Sequence, residues 1–307
     1  MKRLTLTILM SLCGLSFIFA QGTFYMGNRS AASQKPPKTI DTTILQVTFK
    51  SLSIIDSLAP DRVSEDKMIL QIGKTRISKF FADTRVRDSI IQATIGRSMT
   101  AEGNVRIQTQ QIAGRPSGPG DQSVIIKNYP AGRITVTDRV MMDQYTYTEP
   151  VNDFKWIILP DTDTLFNFLC QKATTTFRGR DYEAWFAPGI PINEGPWKFS
   201  GLPGLVLKIS DSKQHYVYEC VSLEQIATPI EFADADYVKT NRRDLAKVKR
   251  KFYEDPVSAM ESMRASAPAG DNVRMMVRNQ DGTTTSDINE IRNNMRNRAY
   301  NPIELDL

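Results

Sequence analysis

The chain has few of the residues from which metal centres and nucleophilic sites are built. Histidine occurs once, at His215. A single imidazole rules out multi-histidine zinc or iron centres and leaves at most one base for a nucleophile–histidine pair. Its setting, Gln214-His215-Tyr216-Val217-Tyr218, is a strand start after a polar turn, where a lone histidine is expected at a surface or edge. There is no phosphate loop, no dinucleotide fingerprint and no GxSxG elbow. Asp161-x-Asp163 opens like a calcium loop but lacks the glycine and glutamate that such a loop needs, so a turn is the expectation there. Glu183, Glu194 and Glu219 show no spacing that pairs them for acid–base work. No metal, cofactor or catalytic residue is therefore predicted. An excess of one charge is also missing. The 39 Lys and Arg residues fall to 37 if Lys2 and Arg3 are removed, against 34 Asp and Glu, which argues against nucleic acid as a partner.

Long apolar runs are absent except at the amino terminus. Lys2 and Arg3 precede an almost unbroken apolar or small run from Leu4 to Phe19, and Ala20 stands before polar Gln21-Gly22. That is the pattern of a signal peptide over residues 1–20, cleaved after about Ala20, and the run is short for a spanning helix of about 20 residues. Met10-Ser11-Leu12 before Cys13 lacks the small residue expected beside a lipidated cysteine. The reading is a periplasmic or secreted protein with no transmembrane helix after cleavage. Cys170 and Cys220 then remain as an even pair. They are open to two readings, a disulfide or two buried free thiols on separate faces, and a nucleophilic role would need a neighbour that lowers the thiol pKa.

What is present is β-structure. After a polar arm over 21–40, β-branched runs open at Thr42-Thr43-Ile44-Leu45 and continue through short alternating segments at 67–72, 123–128, 133–138, 155–159, 165–177, 182–186, 205–210 and 215–223. Pro160-Asp161-Thr162-Asp163-Thr164 reads as a turn between two of them. Residues 96–122 are poor in large apolar side chains and read as a flap. Val238, Leu245, Val248 and Phe252 recur at helical spacing, with Asp234 or Asp236 as caps, and Asp255-Pro256 restarts the chain into a second helix. The fold class is mainly β (α+β), a curved antiparallel sheet for which a half-barrel is one form, with one or two helices near the C-terminus. One domain is predicted over 41–264, with helices at about 236–264, followed by a loop and tail over 265–307 that docks on it.

The densest motif is Gly195-Pro196-Trp197-Lys198-Phe199-Ser200-Gly201-Leu202-Pro203-Gly204-Leu205. Leu202-Pro203-Gly204-Leu205 reads as a type II turn, with Gly204 at the positive-φ position. Around it lie Cys170-Gln171-Lys172-Ala173, Phe177-Arg178-Gly179-Arg180 and Ala184-Trp185-Phe186, and further on Lys251-Phe252-Tyr253-Glu254-Asp255-Pro256 and Asn301-Pro302-Ile303-Glu304-Leu305. Taken in order, these motifs resemble the GLPGLI family of exported Bacteroidota proteins, with Val206 where the family's name has isoleucine. The family has no established activity, so the resemblance brings no catalytic residue with it.

Trp156, Phe177, Trp185, Phe186, Trp197 and Phe199 cluster around the signature, either as core or as the lining of a groove. Three functions follow as expectations. The first is a non-catalytic envelope protein that binds an apolar ligand or a partner protein. The second is a hydrolase or redox enzyme using Cys170 or Cys220, and the third is a structural envelope component.

Overall fold

The structure is a computed structural model that describes residues 21–26, 36–83, 105–106, 123–140, 143–255, 257–258, 261, 275–278, 284–285, 287–294 and 299–306. The leader over 1–20 and almost all of the flap over 96–122 lie outside the described residues. The strands are β1 (Gln21–Met26), β2 (Lys38–Ser53), β3 (Ser64–Gly73), β4 (Ser78–Ala82), β5 (Val105–Arg106), β6 (Val124–Lys127), β7 (Arg133–Val140), β8 (Asp143–Pro150), β9 (Ile157–Leu165), β10 (Phe168–Phe177), β11 (Arg180–Ala187), β12 (Leu205–Asp211), β13 (Tyr216–Glu224), β14 (Pro229–Phe232), β15 (Val238–Lys239), β16 (Met275–Arg278) and β17 (Thr284–Thr285). Among the described residues, helix α1 (Arg242–Glu254) lies between β15 and β16, and helix α2 (Ile288–Asn294) follows β17.

Thirteen strands form one sheet in the order β15-β8-β7-β6-β4-β3-β2-β13-β12-β11-β10-β9, with β14 paired to β2 off this path. Neighbouring strands in this order are antiparallel apart from the β15–β8 pair, and the sheet does not close: among the described residues β15 and β9 are its ends. A smaller sheet joins β17, β16, β1 and β5. The arm expected over 21–40 thus holds β1, and β2 already begins at Lys38.

Period-two alternation explains where the core lies. Val47 and Phe49 on β2, Leu70 on β3, Phe80 on β4, Ile125 on β6, Val136 on β7 and Tyr147 on β8 join Cys170, Ala184, Phe186, Leu207 and Tyr218 in one buried cluster. This cluster runs along one face of the sheet. On the other face, Ile77, Ile126 and Ile230 form a second small cluster, closed by β14 where it folds over the start of β2.

Three expectations are corrected. Pro160–Thr164 is part of β9, and the turn falls at Phe166-Asn167, both at positive φ. Proline is tolerated there because β9 is an edge strand, one side of whose backbone joins no ladder among the described residues. Helix α1 starts at Arg242, capped by the Asn241 side chain, which accepts from Asp244 N. Val238–Lys239 pairs in parallel with β8, so the apolar Val238 that suggested a longer helix belongs to a strand. Finally, Leu202–Leu205 is not a type II turn. The positive φ belongs to Gly201, at +93°, and Gly204 has none. Glycine is required at 204 for a different reason: a Cβ there would lie 2.3 Å from the Ala187 carbonyl oxygen.

Candidate functional site

The signature loop between β11 and β12 is anchored first to β6. Lys127 is buried and pairs with Glu194, and its Nζ donates to the carbonyls of Gly195 and Phe199, both at 2.9 Å. Ser78 Oγ donates to Glu194 at 3.0 Å. Trp156 Nε1 closes the far side of the loop by donating to Ser200 O at 2.9 Å. Inside this frame the backbone at Trp197 takes a φ of +50°, the left-handed region in which a bulky side chain is strained. Ring contacts hold Trp197 there, with centroids 5.9 Å from Phe177 and 5.2 Å from Phe199.

The next residue, Lys198, is the centre of the site. Its side chain is 2% exposed, among the largest fully buried in the protein. A buried ammonium is costly unless it is paired and hydrogen-bonded. Lys198 Nζ lies 2.7 Å from Glu149 and 2.5 Å from Glu304, donates to the Tyr147 hydroxyl at 3.1 Å, and sits 5.3 Å from the centre of the Trp197 ring. Burial pushes its pKa down, but Tyr147, Glu304 and Glu149 outweigh that and hold it above the ordinary lysine value. Burial likewise pushes the Tyr147 phenol up to about 12.

Glu304 belongs to the C-terminal tail, and the tail is the rest of the site. Arg178 and Gly179 form the two-residue type I′ turn of the β10–β11 hairpin, at φ +53° and +80°. The Arg178 carbonyl accepts Leu305 N at 2.8 Å, and its guanidinium reaches Glu149 at 3.1 Å and Asp306 at 3.3 Å. Arg242, at the start of α1, bonds Glu304 at 3.1 Å and Asp306 at 2.5 Å. Arg180, on β11, is buried against Asp211 at 2.9 Å and donates to Asn301 Oδ1 and Pro302 O at 2.6 Å and to Ile303 O at 3.1 Å. The Tyr216 hydroxyl takes the Asn301 carbonyl at 2.6 Å. His215 is half-buried beside this clamp, its Nδ1 3.4 Å from Arg180 and 3.3 Å from Asn301 Nδ2. It is therefore part of the tail anchor, a role that the surface or edge position expected of it did not indicate.

Asp306 titrates with this arrangement. Burial raises its pKa, but the bonds from Arg242 and Arg178 outweigh that and hold it below the ordinary 3.8. A carboxylate depressed in the folded state stabilises above its unfolded value and loses that contribution as pH falls. Asp306→Asn should therefore melt below wild type at pH 6, with the gap closing as pH approaches 3. A gap that held constant with pH would show that Asp306 is not bound as described.

The sequence-derived candidates are placed as follows. Phe186, Trp197 and Phe199 are buried in the core, with Trp156, Phe177 and Trp185 packed against it half-buried. Of these six, only Trp197 also lines the cavity beside the tail. That cavity has a volume of about 120 Å³ and is bounded by Tyr147, Trp197, Lys198, Tyr218, Leu245 and Ile303, among others. In the signature segment 201–205, Leu202 and Leu205 are buried in the core. The disulfide reading is corrected: Cys170 and Cys220 are both free and buried. Burial pushes both thiols up, Cys220 to about 12, with Cys170 and Glu219 adding to the effect. Both should resist a thiol-specific chromogenic reagent until the protein is unfolded, when both react; rapid labelling of Cys170 or Cys220 in the native state would contradict this burial. Sequence reasoning missed Lys198, Arg178, Arg180, Arg242 and Asp306. The available signal was one lysine set between Trp197 and Phe199.

Comparison with known proteins bears on the same segment. Residues 126–208 match the family described as a protein of unknown function (Porph_ging). The matched stretch runs from β6 to β12 and so contains Lys127, Glu149, Arg178, Arg180 and the whole signature loop. The tail and α1 lie outside it. No curated protein matches the chain by sequence. Two solved structures of PNGF-II, in P21 and C2 crystal forms, align over 68% of this chain at 11% identity and a TM-score of 0.42. The alignment spans about a third of PNGF-II's own length, 33% and 32% in the two forms. Among the described residues, no helix is long and apolar enough to cross a membrane.

Proposed function

We propose that this chain is an exported, non-catalytic envelope protein of the GLPGLI type that binds a partner protein. The observation that carries the reading is how the tail is held. The carbonyls of Asn301, Pro302 and Ile303 are taken by Arg180 and Tyr216, and Leu305 N is taken by the Arg178 carbonyl. Main-chain capture of an extended segment, with side-chain sockets for specificity, is how domains recognise peptides. An apolar ligand of acyl-chain size has less support. Small-molecule sites usually enclose about 300–1,000 Å³, and the cavity here is about 120 Å³ with Lys198, Arg242 and Glu304 in its wall. A cysteine nucleophile has less support still, because neither thiol is exposed.

The test is site-specific photo-crosslinking in intact cells from Leu305, which is 47% exposed beside the cleft, with Leu58, 64% exposed, as the control position. One envelope protein captured from position 305 and not from 58 is the expected result. Native mass spectrometry of the purified protein completes it. A small molecule released by organic extraction, with no crosslinked partner, would replace this reading with that of a carrier.

A further inference from the structure

The tail does not fill the cleft that holds it. Ile303 and Pro302 form one wall of the cavity, whose volume of about 120 Å³ is a little under that of an apolar cavity of about 150 Å³ that admits one benzene. Arg178 Nε is buried without a hydrogen-bond partner among the described residues, 4.0 Å from Glu304. The inner end of the tail is sealed, with Asn301 8% and Glu304 6% exposed, while Leu305 at 47% gives an open outer end from which the segment can be peeled. The cleft's cationic groups, Lys198, Arg178 and Arg242, face the carboxylates that the tail brings.

We propose that this cleft is the receptor site for an extended segment of a partner protein, of the form Asn-Pro-x-Glu-x-Asp with an aromatic side chain at the first x, and that the chain's own tail is the resident competitor. The inference rests on the partner-binding reading and names the partner's chemistry. Tyr216 reads a main-chain carbonyl, whereas Arg180 reads two main-chain carbonyls and the Asn301 side chain, and so selects the asparagine. Lys198 and Arg242 select the glutamate, and the empty volume beside Ile303 selects a ring over a branched aliphatic chain. The closed, tail-filled form is then an autoinhibited one.

The experiment uses the full chain and two synthetic octapeptides labelled at the N-terminus. One copies residues 299–306 and the other carries phenylalanine in place of Ile303. Glu304→Gln loosens the resident tail while leaving Lys198 paired with Glu149. The copied peptide should bind this variant saturably and at least tenfold tighter than it binds wild type, and the phenylalanine peptide should bind tighter again by about tenfold. Adding Arg242→Gln should weaken both. Should Glu304→Gln fail to fold, Asp306→Asn at the exposed end serves the same purpose. No binding to any folded variant, or equal binding to wild type and variant, overturns the proposal. Dimerisation of Glu304→Gln without peptide would also overturn it, by assigning the cleft to the tail of a second copy. A crosslinked partner from Leu305 combined with peptide failure would sink the named segment alone and leave the partner-binding reading standing.

Discussion

Gly204→Ala should destabilise the protein far more than Gly201→Ala, although the positive φ lies at 201. At 201 the backbone is left-handed, yet the nearest atoms to an added Cβ, on Trp156, are 3.8 Å away, an ordinary contact. The cost there is the conformational one, about 1–2 kcal/mol. At 204 the added Cβ would lie 2.3 Å from Ala187 O, 2.7 Å from Ala187 C and 2.9 Å from Pro188 N. These are backbone atoms at the end of β11 and cannot swing aside as a flexible side chain would. The loop must move off β11 or the register between β11 and β12 must give, and a cost on the order of 4 kcal/mol or complete loss of folding is expected. Gly204→Val should be worse. Urea unfolding of the two alanine variants decides the matter: equal midpoints would mean that close approach is not what fixes the signature.

Lys198→Met is the second large effect. It preserves most of the aliphatic stem and removes the charge, leaving Glu149 and Glu304 buried around a missing cation. Removing one member of a buried ion pair costs about 3–5 kcal/mol, because the remaining charge has lost its partner, whereas replacing both members by apolar groups can be close to neutral. The double variant Lys198→Met/Glu304→Met should therefore recover part of the loss. A double-mutant cycle should give a coupling above about 1 kcal/mol. Additive losses would mean that Lys198 and Glu304 are neighbours without being partners. A fully stable Lys198→Met would remove the charge cluster from any account of what holds the tail.

Most of the central strands were legible from their apolar, β-branched and aromatic composition. The runs around Val47, Leu70, Val136, Phe186 and Leu207 are apolar and rich in β-branched or aromatic residues because each contributes to the core, and that composition is local. Strand β9 was legible only at its start, since at an edge the rule against proline lapses and Pro160 reads as a stop when it is not one. Strand β8 was missed. Its Asp143-Gln144-Tyr145-Thr146-Tyr147-Thr148 sequence is polar, and its buried members, Tyr147 and Glu149, face the charge cluster as well as the core. The site itself was half visible. Both Trp197–Leu205 and Asn301–Leu305 stood out as motifs, but nothing in either says that they touch. Glu304 lies 106 residues from Lys198 and Asn301 lies 121 from Arg180. A lysine between two aromatic residues and a glutamate between two aliphatic ones each look ordinary until a fold brings them together.

That separation also sets an order of events. A chain that emerges N-terminus first, from a ribosome or through a membrane pore, presents Lys198 well before Glu304 exists beside it. Until then the partly built sheet carries a cation that it can neither bury nor fully pair, and contacts of such long range are slow to form. Vectorial synthesis thus leaves the charge cluster incomplete until residues 299–306 have been made, with Lys198 facing Glu149 but not yet Glu304.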